Sequence, residues 1–174
     1  MGESFAGRGQ ARWLGPQAGE TASAVRAINE VVARSGQASV SVVELRRFSD
    51  GCIVQVEAAA TSSAGPAGEA LRAGMAMSGD VAGPPPAVLR FGVQLDGGAT
   101  ASTLDHVIAP AAEPEPPYFS VLGGPGFDIE GNRLSTRQEL WLWPAYDEFG
   151  LVVEWPLFEI SSTRISLSFD QGIR

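Results

Sequence analysis

Lysine is absent from this sequence of 174 residues, and cysteine and histidine occur once each, as Cys52 and His106. A single cysteine excludes a disulfide within the chain. One cysteine and one histidine cannot supply the three or four ligands of an ordinary zinc site. The sequence therefore predicts neither a disulfide scaffold nor a zinc protein, and we expect no cofactor.

Long apolar runs are also lacking. No stretch approaches the ~18 apolar residues of a membrane-spanning helix, and residues 1–16 contain no apolar segment of the kind found in secretion signals. The formal net charge is -8, and residues 96–174 carry twelve acidic residues against four arginines. Because an acidic surface repels phosphate groups, we expect no nucleic-acid partner and no membrane partner. The lack of a membrane-spanning run and of a secretion signal predicts a cytoplasmic location.

What the sequence does contain is a series of short segments in which apolar and polar residues alternate, separated by turn residues. The clearest turns are Asp50-Gly51 and Gly97-Gly98, and each lies between two alternating segments, as in a β-hairpin. Such spacing predicts an all-β fold, an antiparallel β-sandwich of about seven to nine strands with at most one or two short helices.

The domain organisation follows from composition. Residues 1–20 are rich in glycine and polar residues around Trp13, so we expect a flexible tail that can dock through this tryptophan. Residues 21–174 are expected to form a single β-sandwich domain. Within it, residues 22–34 fit either a helix or a strand. Gly123-Gly124-Pro125-Gly126 is expected to be a flexible turn, and residues 127–135 are expected to be loop.

Three of the four tryptophans lie in residues 140–156. Trp141 and Trp143 share one face of a strand that ends at Pro144, and Trp155 follows in a second alternating segment. We expect the two strands to pair as a hairpin and the tryptophans to lie in the sandwich core, where large apolar residues of alternating strands are usually buried. The alternative is an exposed aromatic surface that stacks a sugar ring or the side chains of a partner.

Several short motifs follow one another in a fixed order: Asp50-Gly51, Leu89-Arg90-Phe91-Gly92-Val93 with Gly97-Gly98, a glycine loop, Leu140-Trp141-Leu142-Trp143-Pro144 and Val153-Glu154-Trp155-Pro156. Over about residues 40–160, this order resembles a group of uncharacterised actinobacterial proteins. The resemblance implies the sandwich fold and an origin in a high-GC genome. It implies no activity.

One acidic segment has the spacing of a calcium-binding loop. Asp128, Glu130 and Asn132 occupy the first, third and fifth places of such a loop, and Glu139 occupies the twelfth. The glycine required at the sixth place is replaced by Arg133, and Glu139 belongs to a predicted strand rather than to a helix. A solvated acidic loop is the favoured interpretation, and a calcium site is the alternative.

No group of residues has the spacing of a catalytic set, so we favour a non-catalytic protein-interaction or structural module that has a protein partner or self-associates. Its candidate binding residues are aromatic: Trp141, Trp143, Trp155 and Tyr146. One alternative is a small-ligand or carbohydrate binding module that uses the strand tryptophans. A second is a carboxylate-based hydrolase, for which Glu154 and Glu159 are the candidates to examine.

Overall fold

The structure is a computed structural model, which describes residues 10–61, 89–106, 108–170 and 172–173. The alternating segments form antiparallel strands, and a short 3-10 turn follows the eighth strand. The bounds are β1 (Ala24–Arg34), β2 (Ala38–Arg47), β3 (Cys52–Thr61), β4 (Arg90–Gln94), β5 (Thr100–Ser102), β6 (Tyr118–Glu130), β7 (Arg133–Trp143), β8 (Glu148–Trp155), the 3-10 turn (Pro156–Phe158), β9 (Ile160–Ser168) and β10 (Gly172–Ile173). The predicted all-β class is confirmed.

Two antiparallel sheets make up the fold. The first sheet has the strand order β1-β2-β3-β7-β6, and the second has the order β10-β9-β8-β4-β5. Within the described residues nine strands have three or more residues, and β10 adds a two-residue pairing at the edge of the second sheet. The prediction of an antiparallel sandwich of seven to nine strands is therefore correct.

Both predicted hairpins are present. In the β2–β3 turn the Phe48 amide donates to the Gly51 carbonyl at 2.8 Å, and in the β4–β5 turn the Leu95 amide donates to the Ala99 carbonyl at 2.9 Å. Residues 22–34, for which the sequence left helix and strand open, contribute strand β1. The turns thus set the pairing of neighbouring strands, as their sequences indicate.

The main core lies between the two sheets and consists of the side chains that face inward along the strands. Cys52 belongs to it, on the same face of β3 as Val54 and Val56, and burial raises the pKa of its thiol to about 12. Trp155 also lies in this core, where its ring makes a T-shaped contact with Phe158, with 4.6 Å between the ring centroids. Cys52 and Trp155 therefore have the packing roles that the sequence predicts.

The expected hairpin between the tryptophan strands is wrong. Strand β7, which carries Trp141 and Trp143, pairs with β3 on one side and β6 on the other. Since both of its hydrogen-bonding edges are occupied, β8 cannot join it, and residues 144–147 cross to the second sheet. There β8, with Trp155, lies between β4 and β9.

The turn expected at residues 123–126 and the loop expected over residues 127–135 are also wrong. Strand β6 continues through the glycine-rich segment to Glu130, with an irregularity in register between Leu122 and Gly126. Gly131, with φ of 62°, then makes the turn into β7. An insertion in one strand leaves extra residues unpaired while the ladder resumes on either side, so glycines here mark a bulge and not a break.

Residues 1–9 of the predicted tail lie outside the described residues. Residues 10–20 follow the outer side of the first sheet, where Trp13 packs against apolar side chains. None of the helices found among the described residues is long or apolar enough to cross a bilayer.

Candidate functional site

A second apolar cluster lies on the outer side of the first sheet, away from the main core. Alternation along β3 and β7 turns Ile53 and Trp141 outward, and these two residues lie directly opposite each other in the ladder. We name this set the outer cluster; its members are Phe48, Ile53, Tyr118, Trp141 and Trp143. All five are buried, so something other than the second sheet must cover them.

The cover is residues 10–22, which we name the strap. Its Trp13 and Ala22 pack against the outer cluster, together with Leu122 of β6. A Trp ring buries roughly 150–250 Å², so exposing half of one would cost on the order of 2–3 kcal/mol at about 25 cal/mol per Å². Covering the cluster is therefore a sufficient reason for the strap to dock.

The strap begins with a turn that presents two side chains to the sheet. The Leu14 amide donates to the Ala11 carbonyl at 2.9 Å, which places Arg12 and Trp13 at the centre of a four-residue turn. The Arg12 guanidinium lies 5.6 Å from the centre of the Trp143 ring. Stacking of this kind contributes about 0.5–1 kcal/mol at an exposed site.

The loop before β6 forms the other wall of this site. One Arg12 nitrogen donates to both oxygens of Glu113, at 2.9 and 2.8 Å. The Trp13 indole makes a long hydrogen bond of 3.4 Å to the Pro110 carbonyl. Both ends of the ion pair are about half exposed, 52% for Arg12 and 45% for Glu113, so water screens the pair and its contribution is small.

A second turn fixes the other end of the strap. The Ser49 amide donates to one oxygen of Glu20 at 2.7 Å, and the Gln17 amide donates to the other at 3.1 Å. The bond from Ser49, in the β2–β3 turn, lowers the pKa of the Glu20 carboxyl from its ordinary value. Charged Glu20 therefore ties the strap to the sheet.

Within the outer cluster, Trp141 lies against the β2–β3 turn and packs on Phe48. A β-carbon at Gly51 would lie 2.5 Å from both the Trp141 ring and the Leu142 carbonyl. The Trp141 side chain has no exposed surface, and its indole N–H finds no hydrogen-bond partner among the described residues. A buried donor without an acceptor costs about 1–3 kcal/mol.

Beside the outer cluster runs a line of paired charges, which we name the charged stripe: Glu44, Arg46, Glu57, Arg133, Arg137 and Glu139. Arg46 forms an ion pair with Glu44, with 2.9 Å between the charged atoms, and also contacts Glu139. Glu57 accepts from Arg137 at 2.8 Å. The outer side of the sheet is thus apolar at one end and ionic at the other.

No family model, no curated protein and no solved structure matches this chain. The indications of its function come from its own residues.

The structure separates the four predicted aromatic binding residues. Trp141 and Trp143 belong to the outer cluster, whereas Trp155 lies in the main core. Tyr146 lies in the crossover between the sheets, half-buried against the main core, where burial raises the pKa of its hydroxyl. The Tyr146 carbonyl accepts a hydrogen bond from Arg47 at 3.1 Å. Only Trp141 and Trp143 share a surface.

The four candidate calcium ligands do not converge. Asp128, Glu130 and Asn132 are exposed around the β6–β7 turn. Glu139 lies further along β7, roughly 20 Å from that turn at about 3.3 Å per residue, and contacts Arg46. The segment folds as a tight hairpin and not as a loop wrapped around an ion. Among the described residues no group of three His, Cys, Asp or Glu side chains could hold a metal.

The hydrolase candidates lie on the second sheet. Glu154 accepts a hydrogen bond from Arg90 at 3.2 Å, directly across the β4–β8 ladder. Glu159 is exposed at the end of the 3-10 turn, in a left-handed conformation. Next to the Arg90–Glu154 pair a shallow depression lies over Gly92, which lacks a side chain to fill it.

Sequence reasoning missed most of the residues that shape the site. Arg12, Glu20 and Glu113 lie in segments without strand periodicity, and nothing in their spacing connects them. Trp13 was the one available signal, because a large aromatic residue in a glycine-rich segment indicates a docking contact.

Proposed function

We propose that this chain is a non-catalytic protein-interaction module that binds its partner with the outer side of the first sheet. The supporting observation is the outer cluster itself, an aromatic cluster outside the main core that the irregular strap covers. Aromatic residues and arginine are enriched in protein interfaces, where an apolar centre is surrounded by polar groups. The outer cluster beside the charged stripe has that composition.

Burial of the tryptophans counts against the sugar-stacking alternative. Trp141 and Trp155 have no exposed surface and Trp143 is 5% exposed, whereas stacking on a sugar requires an open ring face. The pairing of Glu154 with Arg90 likewise gives the hydrolase alternative little support, since it gives this carboxylate a structural role.

Charge reversal within the charged stripe tests the proposal. Arg137 is 66% exposed, so the fold should tolerate Arg137→Glu with a small loss of stability, because the new carboxylate faces Glu57 across the ladder. The substitution reverses one charge on the outer side of the first sheet. Arg164→Glu is the matched control, because Arg164 is exposed on the second sheet and lies over Gly150. Each variant and the wild type should be used as bait in lysate of the native organism.

We expect the wild type and Arg164→Glu to retain the same protein and Arg137→Glu to lose it. Gel filtration with light scattering over a wide concentration range tests whether a second copy is the partner. If all three baits retained the partner equally, this would contradict the proposal that the partner binds the outer side of the first sheet. A strictly monomeric protein that captures nothing would contradict the function.

A further inference from the structure

The strap occupies the site as a bound peptide would. Within the described part of the chain, its contacts with the first sheet and the neighbouring loop come mainly from three side chains, Arg12, Trp13 and Glu20. A backbone hydrogen bond to the sheet is first made at Ser23, whose amide donates to the Arg47 carbonyl. Residues 10–22 are thus attached by recognition of side chains and not by strand pairing.

The part of the site that Arg12 and Trp13 fill has a defined chemistry. It offers the two carboxylate oxygens of Glu113, the face of Trp143 and the carbonyl of Pro110. A guanidinium is suited to the first two because it donates to a carboxylate and stacks on a ring at the same time. An indole is suited to the third because it is a large apolar group with one donor.

The strap does not complete the site. The indole N–H of Trp141 is buried and has no acceptor among the described residues. Trp13 is only half-buried and Arg12 is 52% exposed. A peptide that supplied a carbonyl to Trp141, or that buried its own arginine and aromatic side chains more fully, would bind better than the strap does.

We propose, building on the interaction function above, that the outer cluster is a recognition site for a turn of another protein that presents an arginine and an adjacent aromatic residue. In the free protein the strap occupies this site in place of that turn, and the partner displaces the strap when it binds. The charge of the chain favours a different protein over a second copy, since two chains of net charge -8 repel each other, whereas an arginine-bearing turn complements Glu113.

Displacement has a quantitative consequence. A tethered ligand competes at an effective concentration in the millimolar range, so a peptide added in solution should bind the wild type much more weakly than a variant whose strap is loosened. Glu20→Ala loosens the strap at its far end and leaves Arg12, Trp13 and Glu113 unchanged.

The experiment titrates synthetic peptides into full-length ¹⁵N-labelled protein and follows the tryptophan indole signals. The probe is a peptide of residues 10–22, and its control carries alanine in place of Trp13. Two loosened proteins are compared with the wild type, Glu20→Ala and Arg12→Ala/Trp13→Ala, so that a folding defect in one does not decide the result. Melting curves show which of them is folded.

We expect the probe to bind a folded loosened variant at least tenfold more tightly than the wild type, to shift the Trp141 indole signal, and to lose binding when its tryptophan is replaced. Absence of saturable binding up to millimolar peptide would overturn the inference, as would equal affinity for loosened and wild-type protein. A dimer formed by exchange of straps would also overturn it, because the occupant would then be a second copy. None of these outcomes would show whether the protein captures a partner from lysate. The lysate experiment therefore tests the interaction function separately.

Discussion

Trp155 is buried in the main core and makes a T-shaped ring contact with Phe158. Trp155→Ala should destabilise the fold by about 3–5 kcal/mol, as removal of a large aromatic from a core does, and thermal melting would show it. Leu157→Ala is the matched control, since Leu157 lies in the adjacent 3-10 turn and is 36% exposed. A Trp155→Ala protein that melts at the wild-type temperature would show that the ring is not part of the core.

Cys52 provides a test of burial by chemistry. Burial raises the pKa of its thiol from 9.0 to about 12, which means about a thousandfold less thiolate at pH 8. Since the thiolate is the reactive form, a disulfide reagent should label the native protein very slowly at pH 8 and the denatured protein rapidly. Labelling of the native protein at the denatured rate would contradict the inward position of Cys52.

At the scale of single residues, the sequence predicts correctly which side chains of a strand are buried. The parity of a strand places Cys52 and Trp155 on their buried faces, because side chains alternate with a period of two. This alternation does not show what covers the opposite face of the sheet. For this reason the sequence predicts Trp141 in the sandwich core, although it lies in the outer cluster.

Among the elements, the β2–β3 turn depends on glycine for space. A β-carbon at Gly51 would collide with the backbone of Leu142 and the ring of Trp141, so Gly51→Ala should destabilise the fold by about 1–3 kcal/mol. Gly97→Ala, in the β4–β5 turn, is the control because nothing lies within 4 Å of its β-carbon position. Equal melting temperatures for the two variants would mean that β3 and β7 are not packed as described.

Attachment of the strap should depend on pH through Glu20. The pKa of Glu20 is lowered in the folded chain by its bond from Ser49, so its stabilisation is present above the ordinary value of 4.5 and is lost as the pH falls through the lower folded value. The chemical shift of the Ser49 amide should titrate with a midpoint below 4.5, and Glu20→Gln should abolish that titration. A midpoint at 4.5 in the wild type would mean that the bond does not form.

The sequence predicts which segments form strands better than it predicts which strands pair. Asp50-Gly51 and Gly97-Gly98 identify two hairpins, because a tight turn leaves neighbouring strands no other partner. For β7 and β8, four residues between strands allow either a hairpin or a crossover between sheets. Occupation of both edges of β7 by β3 and β6 decides the outcome, and that is a property of distant segments.

On the scale of the whole molecule, the two-sheet sandwich follows from the number and spacing of its strands, whereas the candidate site does not. The site combines the strap, the outer cluster and a loop wall, and Arg12 and Glu113 are far apart in sequence. Long-range contacts between irregular segments leave no periodic signal. The resemblance to actinobacterial proteins stays a prediction.

Exchange of the tryptophan indole protons tests most directly whether the strap covers the outer cluster. In deuterated solvent, the Trp141 and Trp155 signals of the wild type should persist, since both rings are buried. In a folded Arg12→Ala/Trp13→Ala variant, the Trp141 signal should disappear quickly while the Trp155 signal persists as an internal reference. Equal protection of Trp141 in the two proteins would show that the strap is not its cover, and would contradict the interaction site described above.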